Sequence, residues 1–167
     1  MECEIRFKYG AETLRKLMDL KPRLVSSYHS IDEYFAYKSH KNSTFVIRFR
    51  NKGKKCILAF KTEKTKMLWH EWENEIKEPI ALKRLLIAAG FKKFLVIDKI
   101  RKQYSYAGFE INVDNIKGLG KFIEIELISN TKNSGKAKDM LYSIAMNKLG
   151  ISKDKIIEKG YVRLMSD

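Results

Sequence analysis

Charged side chains stand at every second position of residues 2–8, which read Glu-Cys-Glu-Ile-Arg-Phe-Lys. This alternation predicts a β-strand, because successive side chains of a strand point to opposite faces. Glu2, Glu4 and Arg6 would then share one face with Lys8. Two carboxylates one strand step apart can hold a hard divalent cation, and a guanidinium beside them can bind phosphate oxygens. The alternative is a strand of a half-exposed sheet whose charged face meets water.

The same alternation of charge returns in later segments that we also predict to be strands. The positions concerned are Arg48 and Arg50; Glu71, Glu73 and Glu75; Lys99 and Arg101; and Glu124 and Glu126. In an open sheet these side chains would face water, whereas in a closed barrel they would face one another across a lumen. A dry lumen with both signs of charge would be costly. A wet lumen that holds a polyanion with Mg²⁺ or Mn²⁺ would account for both signs.

The elements that must position these side chains follow from hydrophobic periodicity and turn residues. Strands are predicted at 2–8, 25–37, 45–50, 56–61, 69–76, 94–106, 109–114 and 121–128, and helices at 10–20, 79–89 and within 130–149. Turns are predicted at 42–43, 51–54, 107–108 and 117–120. Short turns join antiparallel neighbours, so the pattern predicts an α+β fold with about eight mostly antiparallel strands.

Composition limits the class of protein and of partner. The 167 residues, 44% of them hydrophobic, predict a single domain over 1–167 with a sizeable core. A formal net charge of +14 favours anionic partners, among them nucleic acid, nucleotides, polyphosphate and anionic membranes, without choosing between them. No apolar run reaches the length of a membrane helix, and we expect no secretory leader and no membrane partner.

The cysteines and histidines indicate neither a disulfide framework nor a zinc site. Cys3 and Cys56 are predicted to be buried thiols, which fits a reducing cytoplasm. His29, His40 and His70 are too scattered for zinc-ligand spacing.

The charged segments resemble, in order, the motifs of one family. The Glu2-x-Glu4-x-Arg6 segment is similar to the ExExK signature of the CYTH superfamily, the triphosphate tunnel metalloenzymes, which include class IV adenylyl cyclases, thiamine triphosphatases and inorganic triphosphatases. Residues 114–126, DNIKGLGKFIEIE, resemble the family's D-x-x-x-G-L-G-x-F-x-E-I-E element. Further resemblances lie at 32–35, 47–50, 58–61, 71–75, 99–101 and 160–165.

The resemblance implies a closed eight-stranded antiparallel β-barrel, with flanking helices, that forms a tunnel for a triphosphate. Matched by position, the divalent cation (Mg²⁺ or Mn²⁺) would be held by Glu2, Glu4 and Glu124, with Glu126 and Glu73 as further candidates. Phosphates would contact Arg6, Arg48, Arg50, Lys61, Lys99 and Arg101. Catalysis would involve Asp114, Lys99 and Arg101. The chain departs from the pattern at Arg6, where the family has lysine, and at Thr62-Glu63, where it has Gly-Pro.

The expected function is class IV adenylyl cyclase chemistry, ATP to cyclic AMP and pyrophosphate. The alternatives are hydrolysis of an inorganic or organic (thiamine or nucleoside) triphosphate, and a non-catalytic barrel that binds polyphosphate or RNA. A pure anion binder has no use for glutamates facing its ligand, so the carboxylates favour an enzyme. Trp69 and Trp72 are either core residues or part of a homodimer contact.

Overall fold

The computed structural model describes residues 2–37, 45–65, 68–128 and 134–166. The turn predicted at 42–43 and His40 lie outside these ranges. The strands are β1 (Glu2–Lys8), β2 (Arg23–Tyr37), β3 (Phe45–Lys52), β4 (Lys55–Thr65), β5 (Leu68–Ile76), β6 (Phe91–Tyr106), β7 (Phe109–Ile116) and β8 (Gly120–Ile128). The helices are α1 (Ala11–Asp19), α2 (Pro79–Ala88), α3 (Ser134–Ser143) and α4 (Tyr161–Ser166), with a π-helical turn (Ile144–Lys148) after α3 and a short 3₁₀ turn (Lys153–Lys155) before α4.

The eight strands form one curled antiparallel sheet in the order β1-β5-β4-β3-β2-β6-β7-β8. Most neighbours pair over many residues; β1 and β8, for example, pair from Glu2 opposite Ile128 to Lys8 opposite Phe122. The seam between β1 and β5 has two pairs in the described residues, Glu2 with Trp69 and Cys3 with Leu68. The predicted α+β fold of eight antiparallel strands is therefore confirmed, whereas the predicted closure of the barrel rests on this short seam.

The outer face of the sheet carries the apolar residues that alternate with the charged ones, and helices cover part of it. Cys3, Ile5 and Phe7 of β1 are buried in a cluster with Leu17 of α1 and Leu141 of α3. A second outer cluster lies under α2, where Phe35, Phe49 and Cys56 pack with Leu82 and Leu86. Burying this face fixes the register, because a slip of one residue would send the charged rows into the helices.

A third apolar cluster includes α4 and residues on the concave side of the sheet. Tyr161 packs there with Tyr34, Ile97, Ile116 and Phe122. The sequence indicated no element for this tail, because its helix is only 6 residues long. Through this contact a residue close to the end of the chain reaches the inside of the curled sheet.

Several predicted boundaries shift in the structure. Asn51 and Lys52, predicted to be turn residues, continue β3, so the hairpin turn is Gly53–Lys54 alone. The turn at Ala107–Gly108 has positive φ at both positions (48° and 83°), as a two-residue hairpin that matches strand twist requires.

None of the helices in the described ranges combines the length and apolar character needed to cross a bilayer.

Candidate active site

The concave face of the curled sheet encloses a cavity of about 690 Å³, lined by side chains from all eight strands and from α4. Its charged lining residues include every predicted phosphate-binding residue and every predicted metal ligand: Arg6, Arg48, Arg50, Lys61, Lys99 and Arg101, and Glu2, Glu4, Glu73, Glu124 and Glu126. Side chains that are up to about 120 residues apart in the chain therefore face a common space. For these residues the alternative, in which the charged rows face outward into water, is wrong.

Three carboxylates form a compact oxygen-donor group in this cavity. Glu4 lies opposite Glu126 in the β1–β8 pairing, and Glu124 is two residues before Glu126 on the same face. One oxygen of each lies within 4.8 Å of the others, and all three residues are buried. Burial, together with the neighbouring charges of Glu2 and Glu4, raises the pKa of Glu126 well above its usual range. An all-oxygen group with excess negative charge fits a hard divalent cation such as Mg²⁺ or Mn²⁺.

Glu124 joins this carboxylate group to two guanidinium groups. Nε and Nη2 of Arg6 donate to its Oε2 at 3.2 and 3.0 Å, and Nη2 of Arg101 donates to its Oε1 at 2.9 Å. Burial opposes ionisation, but Arg101 and Arg6 outweigh it and lower the pKa of Glu124 to about 2. Arg6 also lies 2.6 Å from Glu4 and is 1% exposed. Glu124 is thus ionised at any physiological pH.

Asp32 is buried behind the lining of the cavity and binds two of the predicted phosphate-binding residues. It accepts a bidentate pair of hydrogen bonds from Arg50, at 2.9 and 2.8 Å, and lies 3.1 Å from Nζ of Lys99. Burial opposes its ionisation, but Lys99 and Arg50 more than compensate and lower the pKa of Asp32 below its usual value. Burial and the nearby positive charges of Arg101 and Arg50 lower the pKa of Lys99 to about 7.

A second group of carboxylates lies on the β4–β5 side of the cavity. Glu71 is 2.6 Å from Nη2 of Arg48 and 2.5 Å from Nζ of Lys61, and Glu73 also pairs with Arg48. Burial and the proximity of Glu71 raise the pKa of Glu2 to about 8, although Lys61 opposes the rise. Nε of Arg48 is buried without a hydrogen-bond partner among the described residues, so this donor is unused in the structure.

Asp114, a predicted catalytic residue, lies behind Arg101 rather than at the cavity surface. It accepts hydrogen bonds from Nε and Nη2 of Arg101, at 2.7 and 2.6 Å, and from the hydroxyl of Tyr161 at 2.9 Å. It is 0% exposed. This geometry suits a residue that positions Arg101; direct contact of Asp114 with a reacting atom stays a prediction.

The structure groups the predicted metal ligands differently from the sequence interpretation. Glu126, predicted as a secondary candidate, lies with Glu4 and Glu124, whereas Glu2 and Glu73 lie with Glu71. Glu71 faces the cavity but was given no role from the sequence, although it alternates with Glu73. The same period-two rule applied to β7 would also have found Glu110, which lines the cavity and lies two residues before Asn112 and four before Asp114.

The predicted thiols and one tryptophan can be assigned to surface or core. Cys3 and Cys56 are buried and free, as predicted. Trp72 is 56% exposed and stacks with His70 on the outer face of β5, so the core interpretation of Trp72 is wrong. Its alternative role in a homodimer contact stays a prediction, and the side chain of Trp69 lies outside the described part.

Comparison with known proteins gives matches over nearly the whole chain. A family model described as the CYTH domain matches residues 1–161. The chain is 27% identical to MJ0240 of Methanocaldococcus jannaschii, whose name marks it as a candidate adenylate cyclase, over 98% of each chain. Two solved structures are also 27% identical: a conserved hypothetical protein of Pyrococcus furiosus (TM-score 0.86; 98% and 99% of the two chains) and PH1819 of Pyrococcus horikoshii (TM-score 0.84; 99% and 98%).

Proposed function

The chain belongs to the CYTH domain family, and we propose that it is a metal-dependent enzyme that acts on triphosphate substrates inside its charged cavity. One observation carries the proposal: the carboxylate group of Glu4, Glu124 and Glu126 lies in direct contact with Arg6 and Arg101 in the same enclosed space. Such a site can hold a divalent cation and a polyanion side by side. We also infer that the curled sheet acts as a closed tunnel around the substrate.

In phosphoryl transfer the positive and the negative residues of the site would have different roles. Arg6, Arg48, Arg50, Lys61, Lys99 and Arg101 would offset the charge of the phosphates and hold the chain of phosphates in one orientation. Glu4, Glu124 and Glu126 would hold Mg²⁺ or Mn²⁺, with Glu2 and Glu73 as further candidates. When bound, that cation supplies Lewis-acid stabilisation of developing charge on phosphoryl oxygens. Asp114 fixes the fork of Arg101, so this guanidinium is presented without loss of side-chain entropy.

Class IV adenylyl cyclase chemistry is the first candidate reaction. The motif resemblance and the name of the M. jannaschii relative, which covers 98% of both chains, support it. The reaction joins the ribose 3′-oxygen to the α-phosphorus of ATP, and pyrophosphate leaves. A cavity of about 690 Å³ falls in the range of about 300–1,000 Å³ that holds organic ligands, so a triphosphate with an attached nucleoside is compatible with it.

Triphosphate hydrolysis is the second candidate, and the position of Asp114 favours it. A cyclase needs a group that accepts the proton of the 3′-hydroxyl, and Asp114 is fully engaged with Arg101 and Tyr161. In hydrolysis the attacking group is water, which needs positioning more than a strong base.

The buried free thiols also lead us to propose a cytoplasmic location, where they would stay reduced.

Phosphorus NMR of the reaction products tests the proposal and separates the two reactions. ATP, tripolyphosphate and thiamine triphosphate would each be incubated with the protein and Mg²⁺ or Mn²⁺. Cyclic AMP with pyrophosphate identifies a cyclase, and phosphate with a diphosphate product identifies a hydrolase. Absence of product under every condition would refute the enzymatic proposal.

Matched glutamate variants then connect the activity to the cavity. Glu4→Gln and Glu124→Gln should each lower metal-dependent turnover by at least about a hundredfold, because each loses a candidate metal ligand. Glu75→Gln is the control, since Glu75 alternates with Glu71 and Glu73 on β5 but is exposed and pairs with Lys55 at 2.9 Å. It should retain wild-type turnover. Tight anion binding by a protein without turnover would instead favour a polyphosphate- or RNA-binding barrel.

A further inference from the structure

Glu124 already accepts hydrogen bonds from two guanidinium groups and is also a candidate ligand of the cation. Its two oxygens accept three hydrogen bonds from Arg6 and Arg101, at 2.9 to 3.2 Å. The same carboxylate belongs to the donor group, with Glu4 and Glu126, that fits a divalent cation. A cation bound there would compete with the two guanidinium groups for the oxygens of Glu124.

Arg6 would lose its second carboxylate in the same event. Its Nη2 lies 2.6 Å from Oε1 of Glu4, another member of the donor group. Two other contacts would keep the side chain in place, because Nη1 of Arg6 donates to the carbonyl of Lys159 and its Cζ lies 4.8 Å from the ring centre of Tyr161. The guanidinium would remain aimed at the cavity, but its charge would no longer be offset.

Neither ligand alone satisfies every charge of this cluster. A cation without an anion leaves Arg6 without a carboxylate partner and Arg101 with Asp114 alone inside a buried site, which is unfavourable. An anion without a cation must compete with Glu124 for the same two guanidinium groups. With both ligands present, carboxylates face the cation and guanidiniums face the anion, so all buried charges are paired.

We propose that Glu124 couples the binding of the divalent cation to the binding of phosphate by exchanging partners. Its release of Arg6 and Arg101 makes these residues available to phosphate when the cation binds. The inference rests on the proposed function, because it uses the cation and phosphate sites assigned there. Linkage requires that each ligand raise the affinity for the other by the same factor, for which we expect about tenfold.

Mn²⁺ and sulfate are suitable probes, because the pair gives no turnover and sulfate associates only weakly with divalent cations in water. The Mn²⁺ affinity is read from the EPR signal of the free ion, with and without saturating sulfate. Calorimetry gives the sulfate affinity with and without saturating Mn²⁺. Reciprocal enhancement of about tenfold supports the coupling. If both ions bind without enhancement, the coupling alone is overturned. If neither ion binds, the proposed function is overturned as well.

Glu124→Gln distinguishes partner exchange from direct contact between the two ions. A neutral amide holds guanidinium groups less strongly, so the metal-free variant should bind sulfate about tenfold more tightly than wild type, and Mn²⁺ should add little further. An unchanged or weaker metal-free affinity for sulfate overturns the inference.

Glu110→Gln is the control within the same cavity. Glu110 accepts a hydrogen bond from Asn112, and among the described residues no arginine or lysine forms an ion pair with it, so its metal-free sulfate affinity should stay within about twofold of wild type. An equal gain in both variants would point to general loss of negative charge and overturn the inference. If Glu124→Gln does not fold, Glu4→Gln replaces it: freeing Arg6 alone should raise metal-free sulfate affinity about threefold, and no rise overturns the proposal.

Discussion

At the scale of single residues, Tyr161 contacts three charged groups, two that line the cavity and one behind its surface. Its hydroxyl donates to Asp114 at 2.9 Å, and its ring lies 4.8 Å from the guanidinium of Arg6 and 5.9 Å from Nζ of Lys99. Asp114 in turn binds Arg101 through both oxygens. Tyr161 therefore acts as a positioning residue, which orients the groups that would contact phosphate.

Tyr161→Phe should lower kcat about tenfold and leave KM within about threefold, because the ring under Arg6 remains while the hydrogen bond that orients Asp114 and Arg101 is lost. The free energy of unfolding should fall by about 1 kcal/mol. Steady-state kinetics and urea unfolding measure the two effects. Tyr142→Phe removes a similar bond, 2.9 Å to Glu158 outside the cavity, and should leave kcat unchanged. A Tyr161→Phe variant with reduced stability and wild-type kcat would show a merely structural role.

Lys99 gives the site a dependence on pH near neutrality. Because burial and the adjacent arginines lower the pKa of Lys99 to about 7, its charge is lost as the pH rises through that value. Metal-free affinity for tripolyphosphate should therefore fall several-fold between about pH 6 and pH 8.5. The affinity of Lys99→Arg for tripolyphosphate should fall less over the same pH range, since arginine stays charged. The fall that remains in this variant reflects carboxylates such as Glu2. Identical pH profiles by calorimetry would contradict this assignment.

At the scale of elements, each strand separates stability from chemistry by its two faces. On β1, Ile5 and Phe7 pack against α1 and α3, whereas Glu4 and Arg6 point into the cavity. The helices thus secure the strands from outside without touching the charged groups. Only α4 differs, since it packs on the concave side and supplies Tyr161 to the site.

Leu141→Ala on α3 should lower the free energy of unfolding by about 2–5 kcal/mol, because Leu141 is fully buried in the outer cluster. Below the unfolding transition kcat/KM should change less than about twofold, since the cavity lies on the other side of β1. Met140→Ala, at a neighbouring side chain that is 39% exposed, should cost less than about 1 kcal/mol. Loss of kcat/KM in the folded Leu141→Ala protein would show that the two faces are coupled.

At the scale of the whole molecule, opposite charges are concentrated in one enclosed space of a protein with net charge +14. This arrangement is unfavourable when the carboxylates that have no positively charged partner become ionised. Since the pKa of Glu2 is raised to about 8 and that of Glu126 is raised well above its usual range, the unfolded chain releases these protons at lower pH than the folded protein. Their contribution to stability therefore decreases as the pH rises above about 4.5.

Divalent cations should counter this loss of stability. We expect Mg²⁺ or Mn²⁺ to raise the unfolding temperature more at pH 8 than at pH 6, because protons compete with the cation for Glu126 and its neighbours. At about a hundredfold excess over Kd the gain corresponds to about 2.7 kcal/mol. Scanning calorimetry measures the gain. Without metal, Glu126→Gln should be more stable than wild type, and it should gain less stability from the cation. An equal gain at both pH values would contradict the cation site.

The sequence by itself determined which residues face inward, because the alternation of charged and apolar residues has the period of a strand and only one arrangement buries the apolar row. It also gave the eight strands, with boundary shifts such as Asn51 and Lys52. Only the tertiary structure decided which charges are neighbours. The pairing of Glu4 opposite Glu126, the position of Asp114 behind Arg101 and the entry of Tyr161 depend on strand register, curvature and helix packing. These are set by contacts between distant segments, which no local pattern encodes.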